Sequence, residues 1–307
     1  MNSTTSSLSI YLPHLQLQIM RSLLTPVYII GILSNLANIL VFSQHSLRSH
    51  ICSWYFIGAS IGQLVYLNFG CLTRVIWSWT QYDLTLISLP FCKSRIYFVL
   101  NGLTISRYFF CLISIDRWVI TSKNTNIRRL SSRKVAPWLI IGGASLFFLL
   151  NIPFSIDYAI DKTTGCGRKK PVHALFYAVY NTAISLLPLC ILCIFSFLII
   201  FNIQQTKHQI SPKALTTSQK DRSHQRHHHH HHHHHKKDIQ FIKLALVQVA
   251  GYTLFNTLHA YNAIHDVVTR NNQKSANQQA IDEFLYGLGL NLHYAYTGVC
   301  FLNVVNH

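Results

Sequence analysis

Residues 90–118 read PFCKSRIYFVLNGLTISRYFFCLISIDRW: a cysteine near the start, an Asp-Arg-Trp triplet at the end, and a long apolar run between. An ionised side chain is costly beside hydrocarbon. Asp116 and Arg117 therefore mark the edge of the run, where charges reach water. Cys92 precedes Asp116 by 24 residues. On a helix rising 1.5 Å per residue that is about 36 Å, enough to join the two faces of a bilayer.

The rest of the chain has the same character. Of its 307 residues 50% are hydrophobic and only 11% charged, against about 25% charged in soluble domains. Apolar runs long enough to span recur at about 23–43, 51–73, 92–118, 135–156, 174–202, 239–264 and 284–305. The last two are more polar, as expected of faces that line a bundle interior. The expected fold is an all-α membrane protein. Residues 1–22 form an extracellular N-terminus, residues 23–305 form a seven-transmembrane helix bundle, and the chain is truncated after the seventh helix.

Between the runs the loops are short, except 203–238. That segment holds Ser211-Pro212 and nine consecutive histidines, His227 to His235. It reads as a disordered, His-rich third intracellular loop. Metal binding or a pH response near 6.5 are sharper readings of the run, and a solvated linker is the plainer one. The net charge of +17 comes from basic residues clustered between apolar runs. Such clusters meet anionic lipid head groups rather than nucleic acid. The loops assigned to the cytoplasm hold more Lys and Arg than the outer ones, which places the N-terminus outside. The weak sequon Asn2-Ser3-Thr4 agrees, with Asn2 as its glycosylation site.

Six of the eight cysteines fall inside apolar runs and read as small buried thiols. Cys92 and Cys166 both fall on the outer side, where disulfides persist. A bridge between them would pin the fourth-to-fifth loop onto the third run. Arg107 falls near mid-membrane, at a cost of about 2.5–3.5 kcal/mol on insertion scales. It is expected to face the bundle as a buried polar residue, with Ser106 and Asn101 of its own run as possible helpers. On the outer side Arg74, Lys93, Arg95, Arg168, Lys169 and Lys170 stand against Asp157, Asp161 and Asp266. They read as solvated loop charge or, with nearby aromatics, as a site for a peptide. No metal-ligand spacing and no nucleophile motif occurs, so neither an enzyme nor a cofactor is expected.

Cys92, Asp116-Arg117-Trp118 and the run of spans together resemble the rhodopsin family of G-protein-coupled receptors. Asn35 in GILSNLANILVF is similar to the family's first-helix asparagine, and Pro188 in LLPLCILCIFSFLIIFN to its fifth-helix proline. Both are expected to pack helices. The third span and KKDIQFIKLALVQV look most like FMRFamide-receptor-like orphan receptors of invertebrates. The resemblance implies a multi-pass plasma-membrane receptor with an extracellular, peptide-like ligand and a heterotrimeric G protein as partner. It also implies a coupling switch at Asp116, Arg117 and Trp118, in which Asp and Arg hold each other until agonist binding frees the Arg.

The sequence departs from the family in several places. Gly62-Gln63 stands near the usual sodium-binding Asp. TLFNTLHAY replaces the sixth-helix Trp-x-Pro, and the seventh span lacks Asn-Pro-x-x-Tyr. No amphipathic eighth helix follows. These departures leave two alternatives open: a receptor-derived, truncated membrane protein without signalling activity, and a transporter or channel.

Overall fold

The structure, a computed structural model, describes residues 7–161, 165–168, 174–210, 225–269 and 273–299. The first element is α1 (Ser7–Ile19), which passes through a π-helical turn at Met20–Leu24 into α2 (Thr25–Ser43). A short α3 (His45–Arg48) leads to α4 (Ile51–Tyr66), a second π-turn at Leu67–Cys71 and α5 (Leu72–Thr80). The long α6 (Leu89–Thr121) follows, capped at its start by Ser88, whose Oγ accepts from Phe91 N. After α7 (Thr125–Arg128) come α8 (Ala136–Leu150), α9 (Ile152–Asp157) and a two-stranded hairpin. Its strands β1 (Tyr158–Asp161) and β2 (Gly165–Arg168) pair antiparallel, with Ile160 opposite Cys166. Three long helices complete the chain: α10 (Ala174–Ile210), α11 (Gln225–Thr269) and α12 (Ala276–Val299).

Five helical stretches among the described residues are long and apolar enough to cross a membrane: Leu8–Ser43, Ile51–Thr80, Leu89–Thr121, Ala136–Asp157 and Phe176–Gln205. Their outward faces are apolar. Trp138 is 80% exposed, and Leu40, Leu149, Leu187 and Phe197 are exposed too. A soluble monomer does not show so large an apolar face to water. The protein is a membrane protein. α11 and α12 fall short on apolarity, and burial shows why. On α11, Gln248, Asn256, His259 and Asn262 are buried, while Val247, Leu254, Tyr261 and Val268 are exposed. On α12, Asn291, His293 and Thr297 are buried. On α11 the polar side chains face inward and large apolar ones outward, the reverse of a soluble helix, whereas on α12 the buried polar residues share the inner face with Leu290, Tyr294 and Tyr296.

α6 is the axis of the bundle and packs on α4, α8, α10 and α11. Against α4 the fit is backbone on backbone. A Cβ on Gly102 would lie 2.6 Å from Tyr66 N and 2.7 Å from Gly62 O; one on Gly62 would lie 3.0 Å from Ser106 N. Only glycine admits that approach. The core on one side of this seam gathers Phe42, Tyr55, Phe56, Phe109, Phe110 and Tyr252. Its companion cluster gathers Met20, Leu24, Tyr66, Leu67 and Tyr294.

Two segments hold more helix than the sequence suggested. Within the expected N-terminal segment 1–22, α1 is helical and lies against α12. A Cβ on Gly287 of α12 would run into the amide of Gln16. This packing offsets the helix-breaking tendency of Pro13. The 203–238 segment is not wholly a loop. Residues 203–210 continue α10, and the histidine run sits in the first turns of α11. Ser211, Pro212 and the rest of 211–224 lie outside the described residues, as do Asn2, Lys169 and Lys170.

Candidate functional site

α6 carries candidate side chains at both ends and in the middle. At one end Cys92, fully buried, is bonded to Cys166 of β2, with Cα atoms 5.8 Å apart. The bond closes a 74-residue separation, worth about 4–4.5 kcal/mol in the chain-entropy picture. It holds the hairpin against the first turns of α6. Gly165, just before Cys166, has φ +78, the left-handed region that favours glycine. A cavity of about 280 Å³ lies at this end, lined by α4, α5, α6, α9, the hairpin, α10, α11 and α12. Arg74 and Arg95 open onto it. Arg95 Nε donates to Thr73 Oγ1 at 2.9 Å, and Arg74 Nε is buried without a hydrogen-bond partner. Tyr66 and Tyr294 stack at 4.8 Å and line the same cavity.

Midway along α6, Arg107 is 2% exposed. Its Nη1 donates to Ile184 O at 2.8 Å and to Ser185 Oγ at 3.4 Å; its Nη2 donates to Asn256 Oδ1 at 3.5 Å. The guanidinium lies 5.9 Å from the centre of the Tyr252 ring. The first of these bonds has a cause in the sequence. Pro188 sits inside α10 and has no N–H, so the carbonyl four residues earlier, that of Ile184, loses its helical donor. Arg107 supplies one. Its partners come from α10 and α11. The expected helpers on its own helix bond elsewhere. Ser106 Oγ donates to Leu103 O, and Asn101 Oδ1 accepts from Asn151 Nδ2 at 3.1 Å.

Asn151 is a node that the sequence reading passed over. It is fully buried at the end of α8, also donates to Thr104 Oγ1, and accepts from Tyr180 Oη at 2.7 Å. It ties α8, α6 and α10 together. A lone amide closing an apolar run, two residues before Pro153, was the available signal. Asn35 plays a similar part elsewhere: Nδ2 donates to Gly31 O at 2.8 Å and to Thr297 O at 3.2 Å, joining α2 to α12.

At the far end of α6, Asp116 and Arg117 are both buried. Arg117 Nη2 meets Asp116 Oδ2 at 2.5 Å, and Ser131 Oγ donates to Asp116 Oδ1 at 2.6 Å. One carboxylate thus holds the guanidinium of its own helix and the hydroxyl of the loop after α7. Two charges so buried are held by each other and by hydrogen bonds, and removing either would strand the other. Trp118 packs edge-on to Phe195 of α10, ring centres 5.3 Å apart.

A membrane bundle with a disulfide-pinned hairpin and cavity at one end, and a buried Asp–Arg pair at the other, has the layout of a transmembrane receptor. The comparison with protein families agrees. The model described as 7 transmembrane receptor (rhodopsin family) matches residues 34–292. The chain belongs to that family, whose members are receptors and not enzymes. No curated protein sequence matches it significantly.

Proposed function

We propose that the chain is a G-protein-coupled receptor of the plasma membrane that carries a peptide-like extracellular signal to a heterotrimeric G protein. In this reading all seven helical segments cross the bilayer, with the N-terminus and the hairpin outside. The inverted amphipathicity of α11 supports counting it as a span, and the packing of α12 against α11 and α2 supports counting α12 with it. The ligand enters the cavity beside the hairpin. Asp116 and Arg117 form the switch on the cytoplasmic side, with Trp118 against α10. Basic residues of the inner loops, such as Arg128 and Arg129, meet lipid head groups.

The observation that carries the proposal is the polarity of α6. One rigid helix of 33 residues, about 50 Å, bears the cavity wall at one end and the held charge pair at the other. Arg107 links that helix midway to α10 and α11. A ligand that shifts those helices changes the setting of the pair through differential affinity for two arrangements.

Topology tests the proposal. Epitopes placed before Met1 and after His307 are stained on intact and on permeabilised cells. The proposal requires the first epitope on intact cells and the second only after permeabilisation. Both on one side would mean an even number of spans and would end it. One observation favours a non-signalling relative instead: α11 is a continuous helix of 45 residues without an internal proline, so the kink that Trp-x-Pro would give is absent.

A further inference from the structure

The cavity beside the hairpin differs from the rest of the interior in the kind of charge it exposes. Arg74 and Arg95 both line it, one from α5 and one from α6. Among the described residues the ion pairs are Asp116–Arg117, Lys274–Asp282 and His265–Asp282; neither Arg74 nor Arg95 is in one. Asp83, on the loop between α5 and α6, acts on Arg95 through space without forming an ion pair with it; its Oδ1 accepts from Thr85 N and Thr85 Oγ1 at 2.8 and 2.7 Å. The remaining walls are aromatic and aliphatic, with Tyr158, Tyr180, Tyr286, Val99 and Leu103 among them, and His259 adds an imidazole. Two guanidiniums that line one cavity, neither of them ion-paired among the described residues, can together take up a carboxylate. A planar fork of donors fits a carboxylate in two-point contact.

A second, wider cavity of about 710 Å³ continues from the first and shares Tyr177, Asn181 and Tyr286 with it. Its sign is opposite. Asp266, Asp282 and Glu283 line it. Lys274 Nζ holds Asp282 at 2.6 Å, and Gln279 Nε2 donates to Glu283 at 3.2 Å. The cleft is thus basic beside the hairpin and acidic between α10, α11 and α12.

Resting on the receptor reading above, we infer that the ligand is a peptide bearing a carboxylate, which Arg74 and Arg95 bind, and a cationic group that faces Asp266 and Glu283. A C-terminal amide has no charge to offer the two arginines. A free C-terminus or an Asp or Glu side chain does.

The test is affinity selection on the full chain in lipid nanodiscs, using an equimolar mixture of three randomised octapeptide pools. The first pool has free C-termini and no Asp or Glu. The second has amidated C-termini and no Asp or Glu. The third has amidated C-termini and one Asp or Glu. Retained peptides are identified by mass spectrometry. Carboxylate-bearing peptides are expected at a tenfold or greater excess over the carboxylate-free pool, the order of effect of one charge-assisted contact (roughly tenfold). The ratio of the first pool to the third assigns the carboxylate to the C-terminus or to a side chain. In the double variant Arg74→Gln, Arg95→Gln the excess is expected to vanish. In Arg74→Lys, Arg95→Lys, which keeps both charges, part of it is expected to remain. Equal retention of the carboxylate-free pool overturns the inference and leaves the receptor reading standing. Retention of no pool above empty nanodiscs overturns both.

Discussion

The two ends of α6 are built to opposite plans. At the hairpin end the cations Arg74 and Arg95 face an open cavity, and no carboxylate pairs with them among the described residues. At the other end Arg117 is buried against Asp116, which also holds Ser131. On the proposed reading, the open end with unmatched charge takes up a ligand and the closed end with matched charge is released in response. Between them lies a rod that cannot easily yield, because Gly62 and Gly102 seat α4 and α6 backbone to backbone. The contrast teaches that a signal in this fold is a change of helix setting rather than a local rearrangement, since well-packed cores switch between discrete arrangements.

The comparison can be broken from its open end first. Cys92→Ser removes the bond that pins the hairpin and should cost about 4 kcal/mol. Loss of surface expression, or a large drop in thermal midpoint in nanodiscs, is the expected reading; an unchanged midpoint would mean that the hairpin is held without the bond. Next comes the rod. Gly102→Ala forces a methyl against Tyr66 N and Gly62 O and should cost about 1–3 kcal/mol, seen as a lower midpoint. If α4 and α6 part without cost, no change appears.

The middle gives a sharper test. Arg107 donates to the carbonyl that Pro188 leaves open, so the two residues are coupled. Pro188→Ala restores an N–H to Ile184 O, and Arg107→Gln should then cost less than it does beside the proline. A double-mutant cycle on thermal stability should show about 1 kcal/mol of coupling. Additive effects would deny the link between α6 and α10. The smallest effect lies at the closed end. Ser131→Ala removes one hydrogen bond to Asp116 and should raise basal signalling by about two- to fivefold, as expected for roughly 0.5–1 kcal/mol. Unchanged basal output would place Ser131 outside the switch.

Much of this was legible in the sequence because it is periodic or local. The length of the third run, the 24 residues from Cys92 to Asp116, and Pro188 inside an apolar stretch are all read without a fold. The Cys92–Cys166 bridge follows from two cysteines on one side, and the structure contains it. What was not legible depends on packing between distant segments. Arg107 and Pro188 are both conspicuous alone, yet nothing in the chain says that one serves the other, since 77 residues separate Arg107 from Ile184. Arg74 and Arg95 read as solvated loop charge or as part of a peptide site, and only the fold, bringing α5 and α6 together, puts them on one cavity. The helix over Ser7–Ile19 was hidden by Pro13 and by the polar residues around it, and tertiary contact with α12 overrides that local tendency. Asn151 was lost among apolar neighbours, although a buried amide must find partners wherever it lies.

The most direct test of the central claim is guanine-nucleotide exchange on a panel of purified heterotrimeric G proteins. Membranes bearing the full chain, Asp116→Asn and Arg117→Ala would be compared at equal surface expression. Freed from its carboxylate, Arg117 should drive exchange without ligand, so Asp116→Asn is expected to run several-fold above the unaltered chain, with Arg117→Ala at the level of empty membranes. Identical rates for all three, with every G protein tried, would contradict the account.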